Sequence, residues 1–155
     1  MNSDSYEKAL ILISEKIDLC DFLGPRPESM IISAENVLNL KLRGAYRDFL
    51  LRFGTGNIGS YEIFGITNGE FENSSVPNAV WYTLAERKTY KLPENLFIIY
   101  DTGSDELYCL DFSGSKEKEP SVVSYAPGIG IEHQDFRVVA QSFGDFLLEI
   151  LEEFE

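Results

Sequence analysis

Apolar side chains along this chain recur at two periods, three to four residues at both ends and shorter alternating runs between. Tyr6, Leu10, Ile13, Ile17 and Cys20 follow the capping-box-like pair Asp4 and Glu7, which predicts a first helix stopped by Gly24-Pro25. Ser33 is placed as the cap of a short turn carrying Val37 and Leu38. Tyr46, Phe49, Leu50 and Phe53 stand at i, i+3, i+4 and i+7, and Gly54 follows as a helix stop. From Ile58 to Ile66 the short runs broken by Gly59 and Gly65 predict a strand pair. Asn78 caps a helix holding Val80, Trp81, Leu84 and Arg87, which ends before Pro93. Leu96 to Tyr100 and Glu106 to Leu110 predict two strands around the turn Thr102-Gly103-Ser104-Asp105. Ser121 to Tyr125 and Arg137 to Val139 are further strands. Ser142 caps a last helix with Phe143, Phe146, Leu147 and Ile150 on one face. The sum is α+β: one domain spanning residues 1–155, with a mostly antiparallel sheet and helices at both chain ends packed on it.

Composition narrows the partners. The 155 residues are 44% apolar and 13% aromatic, enough for a core without staples. Thirteen basic residues against 26 acidic ones give a net charge of −13, with the larger share of the excess after residue 76. Such a surface is repelled by phosphate, so direct nucleic-acid and membrane partners are disfavoured, and a basic protein or a cation suits it better. The apolar run Ala9 to Ile13 is far short of a membrane span and lacks a signal peptide's basic flank. Cys20 and Cys109 form no motif; one disulfide stays open, but two small buried thiols in a reduced chain are the reading taken. Together these features place the protein in the cytoplasm.

Two motifs carry chemistry elsewhere and do not carry it in this context. Gly54-Thr55-Gly56-Asn57-Ile58-Gly59 spells the dinucleotide fingerprint, which needs a strand before it and a helix after it. Here a helix ends at Gly54 and a strand follows, so the glycines are assigned to a helix stop and a tight turn. Ile98-Ile99-Tyr100-Asp101-Thr102-Gly103-Ser104 resembles an aspartic-protease loop, whose chemistry needs two aspartates sharing a proton. The chain has no second such loop, so only a homodimer would complete it, and a polar hairpin tip accounts for the same residues. His133 is the only histidine, and neither cysteine has a partner at zinc spacing. Asp101, Asp105 and Asp111 lack the glycine and closing glutamate of a calcium loop. The expectation is a protein without catalytic residues, metal or cofactor.

Order and spacing do match one family. Leu42 to Leu50 followed by Phe53-Gly54-Thr55-Gly56 resembles the L-P-x-x-Y-x-x-F-L … N-G-G segment of the SUKH superfamily, with Arg43 in place of the proline. Tyr61 to Ile66 is similar to its strand pair. Leu92 to Ile99, with Gly103 and Leu110-Asp111, is similar to its hairpin, and Ser142 to Leu148 to its closing helix. The resemblance spans about residues 30–153 and implies an immunity protein. Such a protein is an antitoxin that binds a cognate secreted polymorphic toxin, by expectation a nuclease with a basic surface, inside the producing cell. The rival reading is an intracellular scaffold or regulator, as in the fungal branch; a dimeric Asp101 protease ranks third. A homodimer is left open as a further partner. Charge complementarity puts the partner on Asp101, Asp105, Glu106, Asp111, Glu117, Glu119, Glu132 and Asp135, with a solvated acidic surface as the alternative.

Overall fold

The computed structural model describes residues 4–154. In chain order it runs α1 (Asp4–Glu15), β1 (Cys20–Phe22), α2 (Glu28–Leu38), α3 (Ala45–Phe53), β2 (Gly56–Ile58), β3 (Tyr61–Ile63) and α4 (Ala79–Tyr90). Then follow β4 (Leu96–Asp101), β5 (Leu107–Asp111), β6 (Ser121–Tyr125), β7 (Val138–Ala140) and α5 (Phe143–Glu152). Two antiparallel sheets form, β1-β2-β3 and β4-β5-β6-β7, and the Phe64 N–H just after β3 donates to the Ile99 carbonyl of β4 at 2.9 Å. The class is α+β, as the alternation of periods requires.

The core gathers where α3 and α5 meet β4. Tyr46, Phe49, Phe97 and Phe143 are fully buried, with ring centroids 5.1 Å apart for Tyr46 and Phe143 and 5.3 Å for Phe49 and Phe143. Tyr46 keeps its hydroxyl satisfied by donating to the Phe64 carbonyl at 2.8 Å, which is how a phenol survives full burial. Phe53 is only partly buried and instead stacks on Phe22 of β1 at 4.4 Å. Helix α1 lies along α5, with Tyr6 against Gly144 and its hydroxyl donating to Asp48 at 2.7 Å. The four-stranded sheet is covered on both faces: Tyr108 meets Phe146 of α5, while Tyr125, of opposite orientation, meets Glu86 of α4.

Three local expectations need correction. The first helix stops at Glu15, passes through a 3₁₀ turn (Ile17–Leu19) and becomes β1, so Cys20 stands in a strand. Pairing Cys20 with Ile58 and Phe22 with Gly56 satisfies backbone groups that a helix continued to Gly24 would have kept to itself. Residues 28–38 form a full helix rather than a turn at Ser33. Ile31, Ala34, Glu35 and Leu38 are its buried face, and the charged Glu35 breaks what would otherwise read as an apolar stripe. The strand pair begins two residues earlier than expected, at Gly56, and Ile58 pairs with Tyr61 across Gly59-Ser60.

Of the two cysteines, Cys109 is fully buried and Cys20 half-buried; both are unbonded, in separate sheets. Burial pushes both thiols up from their ordinary value.

The glycines of the G-x-G-x-x-G segment serve the backbone. Gly54 takes φ +76° to end α3 and return two amide bonds to Phe49 and Leu50. A Cβ on Gly56 would strike the Asp21 carbonyl, and Gly59 turns the hairpin at φ +59°. The order is helix, turn, strand, the reverse of what a pyrophosphate cradle needs.

Candidate functional site

The Asp101-to-Asp105 segment is a hairpin tip closed on itself. The Thr102 N–H and hydroxyl both donate to the Glu106 carbonyl, at 3.2 and 2.7 Å, and the Gly103 N–H donates to Asp101 Oδ1 at 2.8 Å. Asp101 thus holds the turn, as Asx chemistry does. Beside it runs the connection from β6 to β7, pinned by Gln134. Its amide accepts from the Ala126 N–H and donates to the carbonyls of Ala126 and Ile129.

The eight predicted acidic residues divide between the two ends of the four-stranded sheet. Asp101, Asp105 and Glu106 lie on the hairpin tip, and Glu132 and Asp135 on the adjoining β6–β7 connection. Asp111, Glu117 and Glu119 sit at the opposite end of β5 and are not part of that group. All three have local work, Glu117 accepting from the Ser115 hydroxyl at 3.5 Å. Asp111 accepts from Asn95 Nδ2 at 2.8 Å and from the Ser113 N–H at 2.9 Å. Glu119 accepts from the Ala45 N–H at 3.1 Å, serving the exposed start of α3 where Gly44 leaves room for its carboxylate.

At the hairpin end, Glu106 pairs with Arg137 at 3.2 Å and keeps that guanidinium charged, with Asp135 adding to the effect. Asp105 has no hydrogen-bond or ion-pair partner among the described residues. Asp101, Asp105 and Glu106 rim a cleft of about 480 Å³ whose other walls include Tyr82 of α4, Leu107, Pro127 and Ile129. Ile129 and Ile131 keep 49% and 54% of their surface in water, beside exposed Glu132 and His133. The cleft thus sets exposed apolar side chains beside a charged rim.

Periodicity of the apolar residues also hid a second acidic row. Asp145, Glu149 and Glu152 lie at i, i+4 and i+7 along α5, on the side facing β7. Their spacing was readable, but the apolar face of the same helix dominated the signal. Next to them, Tyr61, Tyr100 and Tyr108 from three neighbouring strands line a smaller cleft of about 270 Å³, backed by Phe146 and rimmed by Glu149 and Glu153. Tyr61 donates its hydroxyl to Glu153, which raises the phenol to about 12. These tyrosines carry no common period: pairing of β4 with β5 joins Tyr100 to Tyr108, and the approach of the two sheets brings Tyr61 beside them.

Comparison with known proteins fits this architecture. Residues 28–147 match the SUKH_6 family, described as SMI1-KNR4 cell-wall. The chain belongs to the SUKH family. Members are associated with immunity proteins that bind partner toxins and are generally not enzymes. A protein from Pseudomonas syringae pv. tomato shares the SUKH-like fold seen here, with a TM-score of 0.64 and 18% identity over 92% of this chain and 98% of that one. No curated protein matches the chain. No helix among the described residues is long and apolar enough to cross a membrane, and none of their His, Cys, Asp and Glu side chains gather into a metal-binding group.

Proposed function

We propose that this SUKH protein is an immunity protein that silences a cognate secreted toxin, a basic nuclease, by stoichiometric binding in the cytoplasm of the producing cell. The observation that carries the reading is the hairpin end. Asp101, Asp105 and Glu106 rim the cleft that Ile129 lines, and Glu132 and Asp135 lie on the same connection as the exposed Ile129 and Ile131, on a chain of net charge −13. A nuclease concentrates positive charge where it holds phosphate, so an acidic surface is steered onto that region and competes with the nucleic acid there. The apolar residues then supply the desolvated centre that charge alone lacks. On this reading the protein acts by occupying a surface and needs no catalytic group.

The cell-wall label in the family's description favours the scaffold or regulator as the second reading. Co-expression with a candidate toxin, in a sensitive host, separates the two. Survival together with a one-to-one complex in solution is expected. Death at full expression of the folded protein would refute the immunity reading and leave the regulator.

A further inference from the structure

The cleft between β3, β4, β5 and α5 belongs to none of the roles above. Tyr61 and Tyr100 have ring centroids 6.1 Å apart, and Tyr100 and Tyr108 5.6 Å apart, with interplanar angles of 33° and 35°. The three phenols therefore form a tilted row across the junction of the two sheets. Phe146 stands edge-on to the last two at 5.6 and 5.9 Å and fixes their positions from below. All three tyrosines are half-exposed, whereas Phe146 is buried. No lysine or arginine lines the cleft. Glu149 on its rim is exposed and has no hydrogen-bond or ion-pair partner among the described residues, while Glu153 is engaged by Tyr61.

We infer that this tyrosine-lined cleft is the seat of an arginine side chain presented by the protein's basic partner. Aromatic rings attract a cation through their negative faces, and the attraction grows as the site is desolvated. A guanidinium is planar and weakly hydrated. It stacks on rings while its N–H groups reach a carboxylate in a fork, which an ammonium on a thin stem does less well. Glu149 provides the unengaged carboxylate at the rim. The volume of about 270 Å³ admits the guanidinium together with the end of its stem. The inference rests on the proposed function in one respect, that the partner is a basic protein. Thr102 lines this cleft and Asp101 the larger one, so the two flank the same hairpin tip from opposite faces of the sheet.

The test uses acetyl-Gly-Arg-Gly-amide and its citrulline counterpart, equal in shape but uncharged, titrated into the full chain while ring proton signals are followed by NMR. The arginine peptide should shift the Tyr61, Tyr100 and Tyr108 rings saturably, with a Kd on the order of millimolar for a single side chain. Citrulline should not. Glu149→Gln, a surface change that leaves the fold alone, should weaken binding about threefold, and Tyr108→Leu about tenfold. Equal shifts from both peptides, or arginine shifts confined to the hairpin tip, would overturn the assignment. Protection from toxin that survives Tyr108→Leu undiminished would remove the cleft from the interface and leave the immunity function standing. Arginine binding without protection by the unaltered chain would do the reverse.

Discussion

Glu35 shows how a buried charge is kept. Only 6% of it is exposed, and its carboxylate accepts from the buried Leu42 N–H at 2.8 Å and faces Arg47 Nε at 3.6 Å. Glu35→Ala should cost about 1–3 kcal/mol in urea unfolding, because the Leu42 amide loses its acceptor inside the protein. Glu35→Gln, which retains an acceptor oxygen, should cost less. Glu86 is the contrasting case. Burial on α4 raises its carboxyl above the ordinary 4.5, and the Tyr125 hydroxyl, donating at 3.5 Å, only partly opposes the shift. The folded chain then holds a proton that the unfolded chain releases. Stability from this group is therefore complete below pH 4.5 and declines as pH rises through the higher folded value. Glu86→Gln removes that titration, so the variant should lose less stability than the parent between pH 4 and neutrality, measured by unfolding at both. An identical loss in both proteins would mean that Glu86 is solvated.

Single elements meet through a few close contacts. Gly65 after β3 lies so near the Gly54 carbonyl at the end of α3 that any Cβ there would overlap it, while the Ile66 N–H donates to the same carbonyl at 3.1 Å. Gly65→Ala should destabilise by about 1–3 kcal/mol, since backbone rather than a flexible side chain must give way. Within α3, Phe49 contacts Tyr46, Phe53, Phe143 and Phe22, the last edge-on at 6.0 Å. Phe49→Ala should cost about 3–5 kcal/mol, as emptying a fully buried aromatic site does. A change below about 1 kcal/mol would show that the site collapses around the gap. These elements were legible because caps and periods are local. Asn78 accepts from the Val80 and Trp81 amides and Ser142 from the Asp145 amide, each as its position before an apolar run implied. The α2 helix was missed because Glu35 occupies its inner face, and a charge there reads as an interruption until Leu42 and Arg47 are seen beside it.

Across the whole molecule, charge is sorted by topology. The hairpin tip and the β6–β7 connection are brought side by side because Leu107 of β5 pairs with Tyr125 of β6. If that end docks on a basic toxin, Asp101→Lys, Asp105→Lys and Glu106→Lys together should slow association and flatten its dependence on salt, since long-range steering acts on the on-rate. The same triple change releases Arg137 from Glu106, so circular dichroism is recorded first to establish folding. An on-rate unchanged at low and moderate salt would take the hairpin tip out of the interface. By contrast, Glu119→Gln at the far end should leave association alone and slightly weaken the start of α3, because its carboxylate already serves the Ala45 amide.

What the chain's own order of residues determined was local and periodic: the α+β class, caps at Asn78 and Ser142, the hairpin around Gly103 and the acidity of the surface. Each depends on interactions within a few residues or on sums over the whole composition. Tertiary structure decided what depends on partners distant in sequence. It made Cys20–Phe22 a strand by supplying Gly56–Ile58 as its neighbour. It separated Asp111, Glu117 and Glu119 from the other acids by the length of β5, and it turned Glu119 into a cap. It also assembled Tyr61, Tyr100, Tyr108 and Phe146 into one cleft from four elements. No period in the sequence joins those four, because their approach is set by the pairing of β4 with β5, the meeting of the two sheets and the packing of α5, and not by separation along the chain.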